Sequence, residues 1–192
     1  DRVTVLACDA TCRELPSRLG EPGPAAARAA SAFLTSVTPE GASDISAAVR
    51  AGAAALHGAP PGAARVVYIG DGTPTMGPVS PAFFRREIDA AVPRSVGTVS
   101  AVAIGSDADL ATLRTIAGTG GGVVLPYTPG ETARQAAYAV LGATYGTALT
   151  DPEVVLPEGL IDAAPQRLAT IASGTETMIV ARMTRPVVEG TL

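Results

Sequence analysis

Apolar residues along this chain fall into two alternating textures. Residues 2–8 (RVTVLAC), 65–70 (RVVYIG), 98–104 (TVSAVAI) and 123–127 (VVLPY) are short runs rich in β-branched and apolar side chains, and they predict strands. The runs at 65–70 and 98–104 are continuously apolar, the mark of strands buried on both faces. Between them apolar positions recur at helical spacing. Residues 25–37 place Ala29, Phe33 and Val37 on one helical face, and Pro39, Glu40 and Gly41 close that segment. Ser43 or Asp44 then caps a helix carrying Ile45, Val49 and Leu56, which runs to His57 and the Gly/Pro breaker at 58–62. After the strand at 65–70, a loop with Thr73, Thr75 and Gly77 leads to a helix over 81–92 with Phe84 and Ile88 inward. Ser106 or Asp107 caps the next helix, which holds Leu110, Leu113 and Ile116 and ends in the glycine-rich stretch 118–122. Residues 131–144 form the last amphipathic helix.

Strands alternating with helices predict βαβ units, and so an α/β fold: a doubly wound, mostly parallel sheet with helices on both faces. This domain is expected to occupy 1–146. From 147 the texture changes to short strand-like runs at 154–156, 168–171 and 177–183, punctuated by Pro157, Glu158, Gly159, Gly174 and Pro186. A β-rich extension over 147–192 is too short to bury its own core, so it is expected to pack on the α/β domain or to continue beyond Leu192.

Composition narrows the functions. The 192 residues are 47% hydrophobic and 17% charged, with a mean hydropathy of +0.30, which is material for a packed core. A net charge of −4 argues against a nucleic-acid partner, which needs clustered cations. All 14 basic residues are arginine, and the lack of lysine removes Schiff-base enzymes and the P-loop. No run approaches the roughly 20 apolar residues of a bilayer-spanning helix, so no membrane span is expected. The chain opens at Asp1 without a signal-peptide pattern and reads as a piece of something longer. Cys8 and Cys12 are too few for a disulfide framework and lack zinc-site partners; they are two ordinary thiols or a local bridge in an exported protein.

In open parallel sheets ligands bind beyond the carboxyl ends of the strands, which singles out Asp71. It ends an apolar strand between Gly70 and Gly72, and it reads either as the cap of the following turn or as a metal-binding or catalytic carboxylate. Enzyme readings find little support. An acid within the glycine loop at 70–72 would repel a pyrophosphate, and the glycines at 118–122 follow a helix instead of a strand. The phosphohydrolase loop of the haloacid dehalogenase family needs a second aspartate where Ile69 stands, and a lysine. The single histidine, His57, is without a GxSxG elbow.

Several stretches, taken in order, resemble the von Willebrand factor A domain of proteins that carry a VIT domain. They are Asp1, Arg2 and Val3 opening the second strand of that fold; Gly41, Ala42, Ser43, Asp44 and Ile45 at its Gly-Gly-Thr-Asn/Asp-Ile turn; and residues 66–72 at its apolar strand ending in Thr-Asp-Gly. Residues 102–107, then Leu113, Arg114, Ile116 and Ala117, and the glycines at 120–122 match its later segments. The resemblance implies a metal-ion-dependent adhesion site, with Mg²⁺ (or Mn²⁺ or Ca²⁺) held by hard oxygens and one position open for a partner's carboxylate. Ser43 takes the place of the family's threonine ligand and Asp71 that of its distal aspartate. The family's Asp-x-Ser-x-Ser element is absent from the sequence, and Asp44 and Ser46, with part of that spacing, read as a helix cap. The resemblance therefore implies weak metal binding, or none, by this chain itself. It also implies a missing strand between residues 2–8 and 65–70. The expected function is that of a non-enzymatic, cation-dependent protein-binding or adhesion module of a larger protein, in the cell envelope or secreted. The alternatives are a metal-dependent hydrolase using Asp71 and a structural domain with a vestigial site.

Overall fold

The computed structural model describes all residues except 19, 61, 93–96, 120, 147, 150–151, 167, 169, 174–175 and 191–192, with the backbone alone at 81, 119, 148 and 172. Pro61, Gly120, Ala169 and Gly174, which figure in the expectations above, thus lie outside the described residues. The chain divides into two compact units, Asp1–Glu131 and Thr132–Leu192. This boundary precedes the last long helix, whereas the change of texture at 146/147 follows it.

The first unit runs β1 (Leu6–Cys8), β2 (Cys12–Glu14), α1 (Pro24–Ser36), α2 (Ile45–Ala55), β3 (Ala64–Gly70), α3 (Pro81–Ala91), β4 (Gly97–Ala103), α4 (Leu110–Thr119) and β5 (Val124–Pro126). β3, β4 and β5 form a parallel sheet in that order, with Ala64 opposite Gly97 and Ala101 opposite Val124. Alternate positions of the sheet, Val66 and Tyr68 on β3 and Val99, Ala101 and Ala103 on β4, share one face. They join Ile45 and Val49 of α2, Phe84 and Ile88 of α3, and Leu113 and Ile116 of α4 in a single core. Ile88, Leu113 and Ile116 are completely buried. Phe84, Ile88, Leu113 and Ile116 therefore point where the helical spacing puts them, whereas Leu110 is exposed. α1 has no buried side chain.

Three expectations for this unit are corrected. Residues 2–8 do not form one long strand: Val3 makes an isolated bridge to Gly20, and β1 pairs antiparallel with β2, a strand that the sequence pattern does not mark. The hairpin is closed by a disulfide between Cys8 and Cys12. Secondly, β3 is not buried on both faces; of its seven residues only Ala64 is buried, and Ile69 is 67% exposed. The reason is pairing. β4, flanked on both sides, is buried at every position but Thr98, whereas β3 has β4 along one edge and, among the described residues, no strand along the other. β1 and β3 do not pair with each other either, although α2 packs against β1, β2 and β3. Thirdly, α4 starts at Leu110, so its capping position is Asp109, not Ser106 or Asp107. Asp109 Oδ1 accepts from the Ala111 and Thr112 N–H groups, and its Oδ2 accepts from Thr112 Oγ1.

The second unit opens with α5 (Ala133–Tyr145), started by a capping box in which Thr132 and Gln135 satisfy each other's N–H groups. Four short strands follow: β6 (Ala148–Leu149), β7 (Leu160–Ala164), β8 (Ile171–Ala172) and β9 (Val180–Met183), paired β6 with β8 and β7 with β9, both antiparallel. The apolar run at 154–156 forms no strand: it has no ladder partner among the described residues, and Val155 is 76% exposed.

Candidate functional site

Four segments of the first unit converge around the carboxyl end of β3. Asp71 follows that strand and is exposed. Its Oδ1 accepts from the Thr73 N–H at 3.0 Å, and its carbonyl accepts from the Asp109 N–H at 2.7 Å. The first contact is an Asx turn, so Asp71 does cap its own loop; a carboxylate has lone pairs to spare beyond that one bond. Gly72, at φ +75°, makes the close approach possible. A Cβ there would lie 2.6 Å from Leu113 Cγ and 2.9 Å from the Asp109 carbonyl oxygen.

Ser43 is bound to the same loop. Its carbonyl accepts from the N–H groups of Thr75 and Met76 at 3.0 and 3.1 Å, and its own N–H donates to Thr75 Oγ1 at 2.7 Å. The Ser43 side chain is therefore not what anchors it; the backbone is, and the residue itself is exposed. Asp44 caps α2, accepting from Ser46 Oγ and the Ala47 N–H, both at 2.9 Å. The partial Asp-x-Ser spacing at 44–46 thus serves a helix start. Asp44 also sits against Gly77, whose Cβ would come within 2.8 Å of Asp44 Oδ1. From the other side the Asp44 N–H donates to the Asp9 carbonyl at 3.1 Å, bringing the tip of the β1–β2 hairpin to this end. Thr75 and Asp109, the residues that fasten the Ser43 and Asp71 loops, are not singled out by the sequence pattern. Thr75 is polar in a Gly/Thr loop, and nothing local says what its hydroxyl meets.

Electrostatics follow the same contacts. Hydrogen bonds from Thr112 side chain and backbone, with a further one from Ala111, hold the Asp109 carboxyl below the usual carboxylate value of 3.8. Burial raises the Tyr68 hydroxyl above the usual tyrosine value, and the Asp71 charge adds to that. His57 belongs elsewhere. It stands past the end of α2, and thirteen residues beyond Asp44 are about 20 Å along a helix axis. There it lines two open cavities of about 620 and 500 Å³, away from Ser43 and Asp71.

As a cation site, the set has the right chemistry and too few members. A serine hydroxyl and a carboxylate are hard oxygen donors suited to Mg²⁺, yet an octahedral ion needs six ligands. Among the described residues no group of three or more His, Cys, Asp and Glu could hold a metal. Ser43 and Asp71 therefore do not complete a site by themselves. No helix among the described residues is long and apolar enough to cross a membrane.

No protein-family model matches the chain. No curated protein matches it in sequence. Solved structures do. A von Willebrand factor type A protein from Catenulispora acidiphila superposes with a TM-score of 0.63 at 17% identity, over 86% of this chain and 40% of that one. An aerotolerance-related membrane protein from Bacteroides fragilis gives a TM-score of 0.56 at 15% identity, over 76% of this chain and 79% of that one. The conserved hypothetical protein BatB from Bacteroides thetaiotaomicron gives 0.55 at 14%, over 76% and 80%. At these identities the likeness is one of architecture: a mixed α/β chain built on a central parallel sheet, with a von Willebrand factor A-like fold.

Proposed function

We propose that the chain is a protein-binding module, a von Willebrand factor A domain of the VIT-protein type wound on both faces of its sheet, whose binding end is the carboxyl end of β3. In this reading Ser43 and Asp71 donate a hydroxyl and a carboxylate oxygen to Mg²⁺, Mn²⁺ or Ca²⁺. The remaining ligands come from outside the described residues and from the carboxylate of a protein partner. The observation that carries the reading is the reciprocal bonding of Ser43 to Thr75, which fixes the Ser43 loop to the loop that begins at Asp71. A binding role is favoured over hydrolysis because the single histidine, the ordinary general base, lies at the far end of α2. The envelope or extracellular setting of the module is supported by the described membrane association of one structural neighbour and by the bridged cysteines. One observation favours a purely structural role for Asp71, its Asx turn to Thr73.

Mn²⁺ titration of the full chain separates the two. Millimolar Mn²⁺ should broaden the amide signals of Ser43, Asp71 and Gly72, with a Kd weaker than about 10 μM, roughly −7 kcal/mol. Asp71→Asn should abolish the broadening. Broadening centred on other residues and absent from these three, or the same broadening in Asp71→Asn, overturns the cation reading.

A further inference from the structure

We propose that the Cys8–Cys12 disulfide is a redox-sensitive latch that holds the Ser43 loop in place, and that a dithiol reductant releases it. The bridge closes a tip of Asp9, Ala10 and Thr11 on a hairpin whose strands are three residues each. A two-stranded ribbon of that size is marginal in water, so the covalent link is a main constraint on its tip. Within the tip the Asp9 N–H donates to the Thr11 carbonyl and Asp9 Oδ1 accepts from the Thr11 N–H, each at 2.9 Å.

The tip is what the 38–44 segment rests on. The Asp44 N–H donates to the Asp9 carbonyl at 3.1 Å, and the Arg13 guanidinium, paired with Asp9, donates to the Thr38 carbonyl at 3.3 Å. Gly41 packs beside Ala10, whose Cβ is 3.9 Å from where a Gly41 Cβ would stand. The next residue from Asp44 is Ser43, whose carbonyl receives Thr75 and Met76. A continuous set of contacts thus links the disulfide to residues 75–76. That this loop binds a ligand rests on the function proposed above; that the disulfide positions it does not.

Cys8 is an exposed residue, and the release we propose begins with a thiolate of the dithiol at its sulfur. Attack forms a mixed disulfide with Cys8 and releases Cys12 as a thiolate. The second thiol of the dithiol then closes on the first, leaving it a cyclic disulfide and both cysteines as thiols. With only three residues between the cysteines, exchange with a disulfide oxidant recloses the bridge within the molecule.

Amide hydrogen exchange on the full chain tests this without any metal. With dithiothreitol present and both thiols titrated as free, the amides of Asp44, Thr75 and Met76 should exchange about tenfold faster, while Leu113 in the core keeps its rate. The Cys8→Ser, Cys12→Ser double variant without reductant should reproduce the pattern. Unchanged rates at all three amides overturn the latch. So does acceleration that extends equally to Leu113, which would make the bridge a staple of the whole unit.

Discussion

Ser43 and Thr75 hold each other through main chain and side chain together: the Ser43 carbonyl takes the Thr75 N–H at 3.0 Å, and the Ser43 N–H returns a bond to Thr75 Oγ1 at 2.7 Å. The pair joins the entrance of α2 to the exit of β3, segments far apart in the chain. A hydroxyl acceptor at 75 is what closes the reciprocal pair. Thr75→Val, which keeps the shape and removes the oxygen, should destabilise the first unit by about 1 kcal/mol in chemical denaturation. Thr75→Ser should restore most of it.

Asp44 satisfies the first turn of α2 with one carboxylate oxygen. Asp44→Ala should cost about 1 kcal/mol, and Asp44→Asn only a fraction of that, because asparagine caps almost as well. Ser43→Ala should leave stability nearly unchanged in the same measurement, since the anchoring contacts of Ser43 are from its backbone.

Gly72 and Gly58 both have positive φ, +75° and +86°, but differ in surroundings. A Cβ on Gly58 meets nothing within 4 Å, whereas one on Gly72 collides with buried Leu113. Gly58→Ala should cost about 1 kcal/mol from backbone strain alone. Gly72→Ala should lower the unfolding midpoint clearly more than Gly58→Ala.

Ile69 and Ile88 provide a direct test of where the core lies. Ile69→Ser should shift stability by no more than about 0.5 kcal/mol, since that side chain is 67% exposed. Ile88→Ala, at a position with 0% exposure, should cost about 2–5 kcal/mol.

Two titrations act on stability from opposite ends of the pH scale. The Asp109 carboxyl is lowered in the folded chain, so its contribution is complete above the unfolded value of 3.8 and is lost as pH falls through the folded one. Tyr68 is raised, so its contribution is complete below the unfolded value of 10.0 and is lost as pH rises through the folded one. Denaturation midpoints should therefore fall less steeply than in the wild type for Asp109→Asn through the acid window, where hydrogen bonding lowers Asp9 as well, and for Tyr68→Phe through the alkaline window.

The sequence by itself determined the elements that depend on local pattern. Helical spacing located Phe84, Ile88, Leu113 and Ile116 on inward faces and the extent of α3 to within a residue, and the Gly/Pro breaker at 58–62 bounded the end of α2 to within two. Continuous apolar runs marked β3 and β4, and Asp71 stood out because it follows such a run between two glycines, at the strand end where open parallel sheets bind ligands. Capping at Asp44 was legible too, being a contact between near neighbours. Tertiary structure decided the rest. Whether β3 is buried on both faces depends on which strands flank it, and its apolar run is as continuous as that of β4. β2 was hidden because Cys12, Arg13 and Glu14 carry no strand pattern of their own; pairing with β1 and a disulfide make the ribbon. The same holds for Thr75, a loop hydroxyl whose meaning comes from a backbone N–H contributed by residue 43. Periodicity records which way a side chain points along its own element, whereas pairing, bridging and site assembly depend on what the chain places opposite it.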